Sequence, residues 1–295
     1  EYSFHNNVIH DVNADCIHVY NTKAKGKIHD NTLYNGGENS IDVKDTENLE
    51  IYDNVLYRTF DFVGEGGTGS GGVPALIAVH KGKYRPSKNI TIRSNTFRDG
   101  DAAGIKISVA EDIYIYGNTF SNVKSALFMH DYANNVKFHH NIVENPQSRM
   151  TSKGWDAGSI YENNPNGTGT EIYNNTIYNR TGDCEHLLTI ANSTGTAVYN
   201  NIVYQNNSSE DALALYRSSN GTEPVIRDNY WYNPNKINRT KYSNKIYTAN
   251  MQEEWNEKHP GDKFDDPLMN DPEEGDYSLY DKSLKIGALY DDQAS

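Results

Sequence analysis

The chain has 295 residues, a formal charge of −13, 36% hydrophobic residues, 22 tyrosines and two cysteines. The negative charge argues against a nucleic-acid backbone as partner, and no apolar run reaches the roughly 18 residues that a membrane-spanning helix needs. So little apolar content cannot fill a wide globular core, but it can line a narrow one.

From the N-terminus onward a short apolar strand repeatedly runs into an asparagine followed by strand-forming residues. The copies include HNNVI at 5–9, YDNVL at 52–56, YGNTF at 116–120 and YNNIV at 199–203. The asparagines are Asn7, Asn31, Asn54, Asn95, Asn118, Asn141, Asn175, Asn201 and Asn229. Five of the eight spacings are 23 to 26 residues, a period that marks a solenoid with one coil per repeat. Phe4-His5-Asn6-Asn7 is already in pattern. This predicts a signal peptide and earlier coils before residue 1.

A second strand recurs in each coil, as Ile17-His18-Val19-Tyr20, Ile41-Asp42-Val43-Lys44, Ile77-Ala78-Val79-His80, Ile105-Lys106-Ile107-Ser108 and Leu127-Phe128-Met129-His130. Alternation places the first and third residues inside and the second and fourth outside. A coil of about 23 residues is too short for a helical crossover, so strands stack in parallel about 4.8 Å apart. The expected fold is all-β: a right-handed parallel β-helix of nine to ten coils over 1–235. A C-terminal cap over 236–295 packs on the last coils, in one structural domain. The asparagines are expected at turns that tolerate left-handed geometry, stacked amide on amide. Cys16 and Cys184 then lie about six coils, roughly 29 Å, apart, beyond disulfide reach.

Two insertions interrupt the period. The first, 61–74, contains GEGGTGSGG; the second, about 146–169, contains Trp155 and Asp156. Both are expected to be loops that wall a groove. After the repeats, Gln252 to His259 reads as a short helical turn. KFDDPLMNDPEEGDYSLYDKSLKIGA (263–288) resembles the terminal signature of secreted right-handed β-helix proteins, and reads as a cap over the last coil.

The repeats and cap resemble the right-handed parallel β-helix superfamily that includes pectate, alginate and chondroitin lyases. GENSIDVKDTENLEIYDNVLY (37–57) is similar to the alginate and chondroitin lyase pattern, in which acidic residues precede a strand ending V-K-S. The resemblance implies Lys44 as general base and calcium held by Glu38, Asn39 and Asp42. Here Glu38 is displaced by one residue, and His80 stands where the family has an arginine.

The outward columns reach the same patch independently. One reads Tyr20, Lys44, His80, Ser108, His130; the other reads His18, Asp42, Ala78, Lys106, Phe128. β-Elimination of a uronate needs a cation for the carboxylate, a base for the C5 proton and an acid for the leaving oxygen. Lys44 or His80 could supply the base, and His130 or Tyr20 the acid. Lys106 or Arg98 could clamp the carboxylate, with His18 as a further substrate contact. The partner so defined is an acidic polysaccharide, met by a secreted or cell-surface protein. No paired carboxylates for glycoside hydrolysis stand on this face, and no H-E-x-x-H, C-x-x-C or G-x-S-x-G occurs. The rival reading is a non-catalytic glycosylated surface or adhesion protein, supported by nine N-x-[ST] sequons that include Asn89, Asn166, Asn174, Asn179, Asn207 and Asn238.

Overall fold

A computed structural model of the chain describes residues 1–59, 74–147, 158–180, 184–206, 213–234, 240–242, 245–280 and 286–288. Strands from successive coils pair in parallel and form three sheets. The first begins with Tyr2–His5, Gly26–His29 and Glu47–Tyr52. The second follows the asparagine turn and begins with Val8–Val12, Thr32–Gly36 and Val55–Tyr57. The third begins with Ile17–Tyr20, Asn39–Lys44 and Ala75–His80. The strand Thr96–Tyr116 bends through all three within one coil. The solenoid makes about seven turns, slightly fewer than the nine to ten coils expected.

The alternation sets the core. Ile17, Ile41, Ile77, Ile105, Leu127, Ile160, Leu188 and Leu215 are register partners up the third sheet, and all point inward and are buried. Nothing wider than one coil is needed to cover this stack, so 36% hydrophobic residues suffice.

The asparagines stack as expected. Each Oδ1 accepts from both the backbone N–H and the side-chain amide of the asparagine one coil earlier, as Asn118 does from Asn95 at 2.9 and 3.1 Å. The amides of Asn31, Asn54, Asn95, Asn118, Asn175, Asn201 and Asn229 also donate to the carbonyl two residues back and to one in the preceding coil, as Asn95 does to Arg93 and Ile51. The left-handed residue is the one before each asparagine: Asp30, Asp53, Ser94, Gly117 and His140 all have φ between 52° and 62°. The asparagine itself supplies the hydrogen bonds, and its predecessor makes the bend. The ladder does not stop at Asn229. Asp262 takes the tenth place, accepting from the Asn229 N–H at 2.7 Å and its amide at 3.0 Å.

Two expectations need correcting. Residues 158–169 were expected to loop out. Instead Ile160–Thr168 is a strand of the third sheet, paired with Leu127–His130 on one side and with Leu188–Ile190 on the other. Its Glu162 points into the core, where the Thr196 hydroxyl donates to it at 2.8 Å. Burial pushes the Glu162 carboxyl up to about 7. Residues 61–73 of the first insertion and 148–157 of the second lie outside the described residues.

The cap is also divided. The helix Gln252–Asn256 places Trp255 in the core at the end of the stack, against Tyr247 and Phe264. Of the segment expected over the last coil, Lys263 does pair with Tyr230 of that coil, and the part from Met269 onward runs along the outer side of the second sheet. There Met269, Leu279 and Ile286 pack on Ile202 and Tyr230. Glu273 accepts from the Tyr178 hydroxyl, and its carbonyl accepts from Arg180 at 2.8 Å. Cys16 is half-buried, Cys184 is buried, and neither is in a disulfide.

Candidate functional site

The third sheet brings most of the expected site residues onto one face. His18, Asp42, Ala78, Lys106 and Phe128 are register partners in one column, and Tyr20, Lys44, His80, Ser108 and His130 in the next. Both columns leave the sheet on its outer side, but the second-position column is open to water only at His18 and, in part, Lys106. Asp42, Ala78 and Phe128 are 0%, 4% and 4% exposed, so the second-position column is not the solvent face expected of it.

Asp42 is the centre of the first cluster. Its Oδ1 lies 2.8 Å from His80 Nε2, and its Oδ2 lies 2.6 Å from Lys44 Nζ and 3.7 Å from His18 Nε2. A carboxylate can only accept, so His80 donates from Nε2 and keeps Nδ1 for other partners. Burial pushes the Asp42 carboxyl up, but the hydrogen bonds and charges of His80 and Lys44 more than reverse this and hold it below the usual carboxylate range. Burial pulls the Lys44 ammonium down, and Asp42 overcomes that, so Lys44 ends above the ordinary lysine value. A lysine held protonated this way is a poor base.

A second cluster lies one to two coils further on. Lys106 is half-buried and, among the described residues, has neither an ion pair nor a hydrogen bond. Burial lowers its pKa, against the pull of Asp131, Glu38 and Asp42. His130 is also lowered by burial, with the exposed Asp131 at 2.7 Å from its Nδ1 opposing this and Lys106 adding to it. The Ser108 hydroxyl donates to the same Asp131 oxygen at 3.0 Å. Ala78 stands in register between Asp42 and Lys106 and is itself buried, in an apolar cluster with Ala75, Ala103 and Phe128.

Arg98 does not belong to this face. It sits on the second sheet, opposite Tyr57 and Ser121, with its guanidinium stacked on Tyr57 and paired to Asp99 at 2.8 Å.

The residues expected to hold calcium do not fit it. Glu38 lies on an exposed corner. Asn39 donates both its backbone N–H and its amide to Asp15, at 3.0 and 2.9 Å. Both oxygens of Asp42 are engaged by Lys44 and His80. The donor atoms that do converge, within 4.8 Å, belong to Asp15, His18 and Asp42, and an imidazole is a poor ligand for a hard cation that prefers oxygen. Asp15 was missed at sequence level, although it stands 24 residues before Asn39 and so occupies the same corner one coil earlier.

A family model described as a right-handed beta helix region matches residues 84–251. No curated protein matches the chain. Among solved structures the chain is similar to PfbA, a surface adhesin of Streptococcus pneumoniae, with a TM-score of 0.52 and 11% identity over 74% of this chain and 65% of that one. It is also similar to XylC in complex with xylose, with a TM-score of 0.47 and 14% identity over 84% of this chain and 39% of that one. The chain thus spans less than two thirds of either.

Proposed function

We propose, from the premise that the chain belongs to the right-handed beta helix family, that it is a secreted or cell-surface enzyme that cleaves an acidic, uronate-containing polysaccharide by β-elimination. The observation that carries this reading is the buried Asp42 with His80 and Lys44 bound to its two oxygens, two rungs from a Lys106 that has no ion pair among the described residues, on the same outer side of the sheet.

The roles follow from the partners of each group. His80 is the base: Asp42 fixes its Nε2 proton, which leaves Nδ1 unprotonated in the neutral ring, and it steadies the imidazolium formed when C5 gives up its proton. Lys106 clamps the substrate carboxylate, because a half-buried ammonium without a counter-ion gains most from an incoming anion. Lys44, expected to be the base, instead keeps Asp42 ionised. His130 returns a proton to the leaving oxygen. No step passes through calcium, since charge on the substrate carboxylate is met by lysine.

The test is the ultraviolet absorbance of unsaturated product formed from alginate, pectate and glycosaminoglycans. His80→Ala should lower kcat by about 10²-fold. Lys106→Ala should mainly raise KM. Native protein that acts on none of these polymers sinks the reading.

A second reading, a non-catalytic glycan-binding surface protein, draws on the engagement of every group around Asp42. Its sequon argument is weakened by the fold. Asn174 and Asn179 are buried, Asn89 and Asn166 are exposed, and Asn207 and Asn238 lie outside the described residues.

A further inference from the structure

Between the strands Ala75–His80 and Ser87–Arg93 a short turn, 81–86, rises beside the Asp42 cluster. Nothing in the periodic pattern requires it. It is nevertheless fastened from below by Asp45, which is 0% exposed and accepts from the backbone N–H groups of Gly82, Tyr84 and Arg85 at 2.7, 3.0 and 3.1 Å. Arg85 adds a bond from Nη1 to Asn21 Oδ1 at 2.8 Å, and its Nε lies 3.1 Å from a Glu47 oxygen. Gly82 fits where no other residue would, because a Cβ there would lie 2.8 Å from an Asp45 oxygen and 3.0 Å from the Tyr20 ring.

So firm an anchor holds up an exposed surface. Tyr84 is 55% exposed and Tyr20 is 45% exposed, with ring centroids 6.2 Å apart and planes inclined by 36°. Lys83 Nζ lies 5.6 Å from the Tyr84 centroid. Lys81 and Lys83 are both exposed and, among the described residues, neither has an ion pair. Tyr20 is the register neighbour of Lys44, and its ring lies 5.8 Å from that of His18. The pair therefore continues the functional face toward the N-terminal end of the solenoid.

We infer that Tyr20 and Tyr84, with Lys81 and Lys83, form a subsite for a uronosyl residue bound beyond the one that reacts at His80. The apolar C–H face of a pyranose ring stacks on exposed aromatic rings. The two lysines form a local positive patch on a chain of net charge −13, and they suit the carboxylate of that sugar. Because Asp45 fixes the turn before any ligand arrives, little ordering entropy is lost on binding. The inference rests on the acidic-polysaccharide reading for the charge of the ligand, but not on the β-elimination chemistry.

The test is calorimetric titration with oligogalacturonate and oligomannuronate chains, with their carboxyl-reduced counterparts and with the matching disaccharides. Tyr84→Ala should weaken the longer acidic chain it binds by about 10-fold and leave the disaccharide unchanged. Lys81→Ala with Lys83→Ala should weaken the acidic chain but not its reduced form. Melting temperatures confirm that these exposed substitutions leave the fold intact. Tyr84→Ala protein that binds as tightly as native overturns the subsite, even where turnover is seen. Failure of native protein to bind either acidic chain overturns it too. Tyr84-dependent binding without turnover sinks the lyase reading and supports the subsite.

Discussion

Asp42 and Asp262 are both fully buried, at opposite ends of the solenoid, and their partners differ in kind. Asp42 faces cationic partners, Lys44 and His80, and is held below the usual carboxylate range. Asp262 is surrounded by neutral donors: the N–H and amide of Asn229, and the indole N–H groups of Trp231 and Trp255 at 2.9 and 2.7 Å. With no cation to offset it, burial pushes Asp262 up to about 6. Charged partners make a buried carboxylate a device for orienting a histidine and a lysine. Neutral partners make it the terminal rung of an asparagine ladder. An asparagine could serve the Asn229 side of that rung, but its own NH₂ would then face two indole donors. The tryptophans explain why the tenth rung is an aspartate.

The comparison predicts an inversion. The ion-paired residue looks the more valuable, yet Asp262→Ala should cost more stability than Asp42→Ala. Removing Asp262 leaves two indole donors and an amide buried without an acceptor, at about 1–3 kcal/mol for each unsatisfied group. Some of this is recovered by relaxation, so about 4 kcal/mol is expected. Removing Asp42 strands Lys44 and His80, but these are 24% and 32% exposed and can rehydrate. The cost should fall short of that for a fully buried pair, to about 2 kcal/mol. Turnover should respond the other way: lost in Asp42→Ala, and close to native in Asp262→Ala at a temperature where it is folded. Denaturant titration beside the absorbance assay measures both. Equal losses of stability would remove the distinction.

Much of this frame is legible in the sequence, and the failures have physical causes. The nine asparagines and the inward Ile column are periodic, and periodicity is what a single chain displays openly. The coil at Ile160–Asn163 was hidden because Glu162 occupies an inward position, which breaks the alternation that identified its neighbours. The tenth rung was hidden because its residue is aspartate and its strand context is a cap. Arg98 was misassigned because period-two alternation tells inside from outside but not which of three outer faces a residue joins. The register of the columns was right, although three members of the second-position column are buried. Their electrostatics were not: Lys44 could be placed beside Asp42, but the fixed 2.6 Å contact that keeps it protonated could not be read from spacing.

The two carboxylates also carry opposite pH signs. The folded pKa of Asp42 is depressed, so its stabilisation is present above the unfolded value near 4 and lost as acid is added below it. That of Asp262 is raised to about 6, so its contribution is fully present below about 4 and is lost as pH rises through 6. Glu162, raised to about 7, has the same sign. Between pH 7 and pH 5 Asp42 is silent in both states; the raised Asp262 and Glu162 add stability, while the buried His259, lowered to about 4, takes stability away with the opposite sign. The share of each carboxyl is therefore read as a difference between native and variant, about 1 kcal/mol or more over that interval. Asp262→Asn should lose its share of the gain, and Glu162→Gln its own. An Asp262→Asn or Glu162→Gln protein whose stability changes from pH 7 to pH 5 as the native protein's does would contradict the assignment of that group.

The smallest expected effect is that of calcium chelation, and it follows from the same partners. For Asp42 to bind a hard cation it would have to release Lys44 and His80, which hold its two oxygens. The neighbouring donors include His18, while Asp15 accepts from Asn39. The ammonium already supplies the positive charge that calcium would bring, so the cation gains little in exchange. Chelator and added calcium should therefore change melting temperature and turnover by less than about twofold in rate. Lys44→Met offers the sharper comparison. It frees Asp42 Oδ2 beside Asp15 and His18 and leaves three donors with no competing cation. This variant should be stabilised by divalent ions where native protein is not, more by zinc than by calcium because of the imidazole. A native protein that already melts higher with calcium, to the same extent as Lys44→Met, would show that Lys44 does not hold the place of the ion.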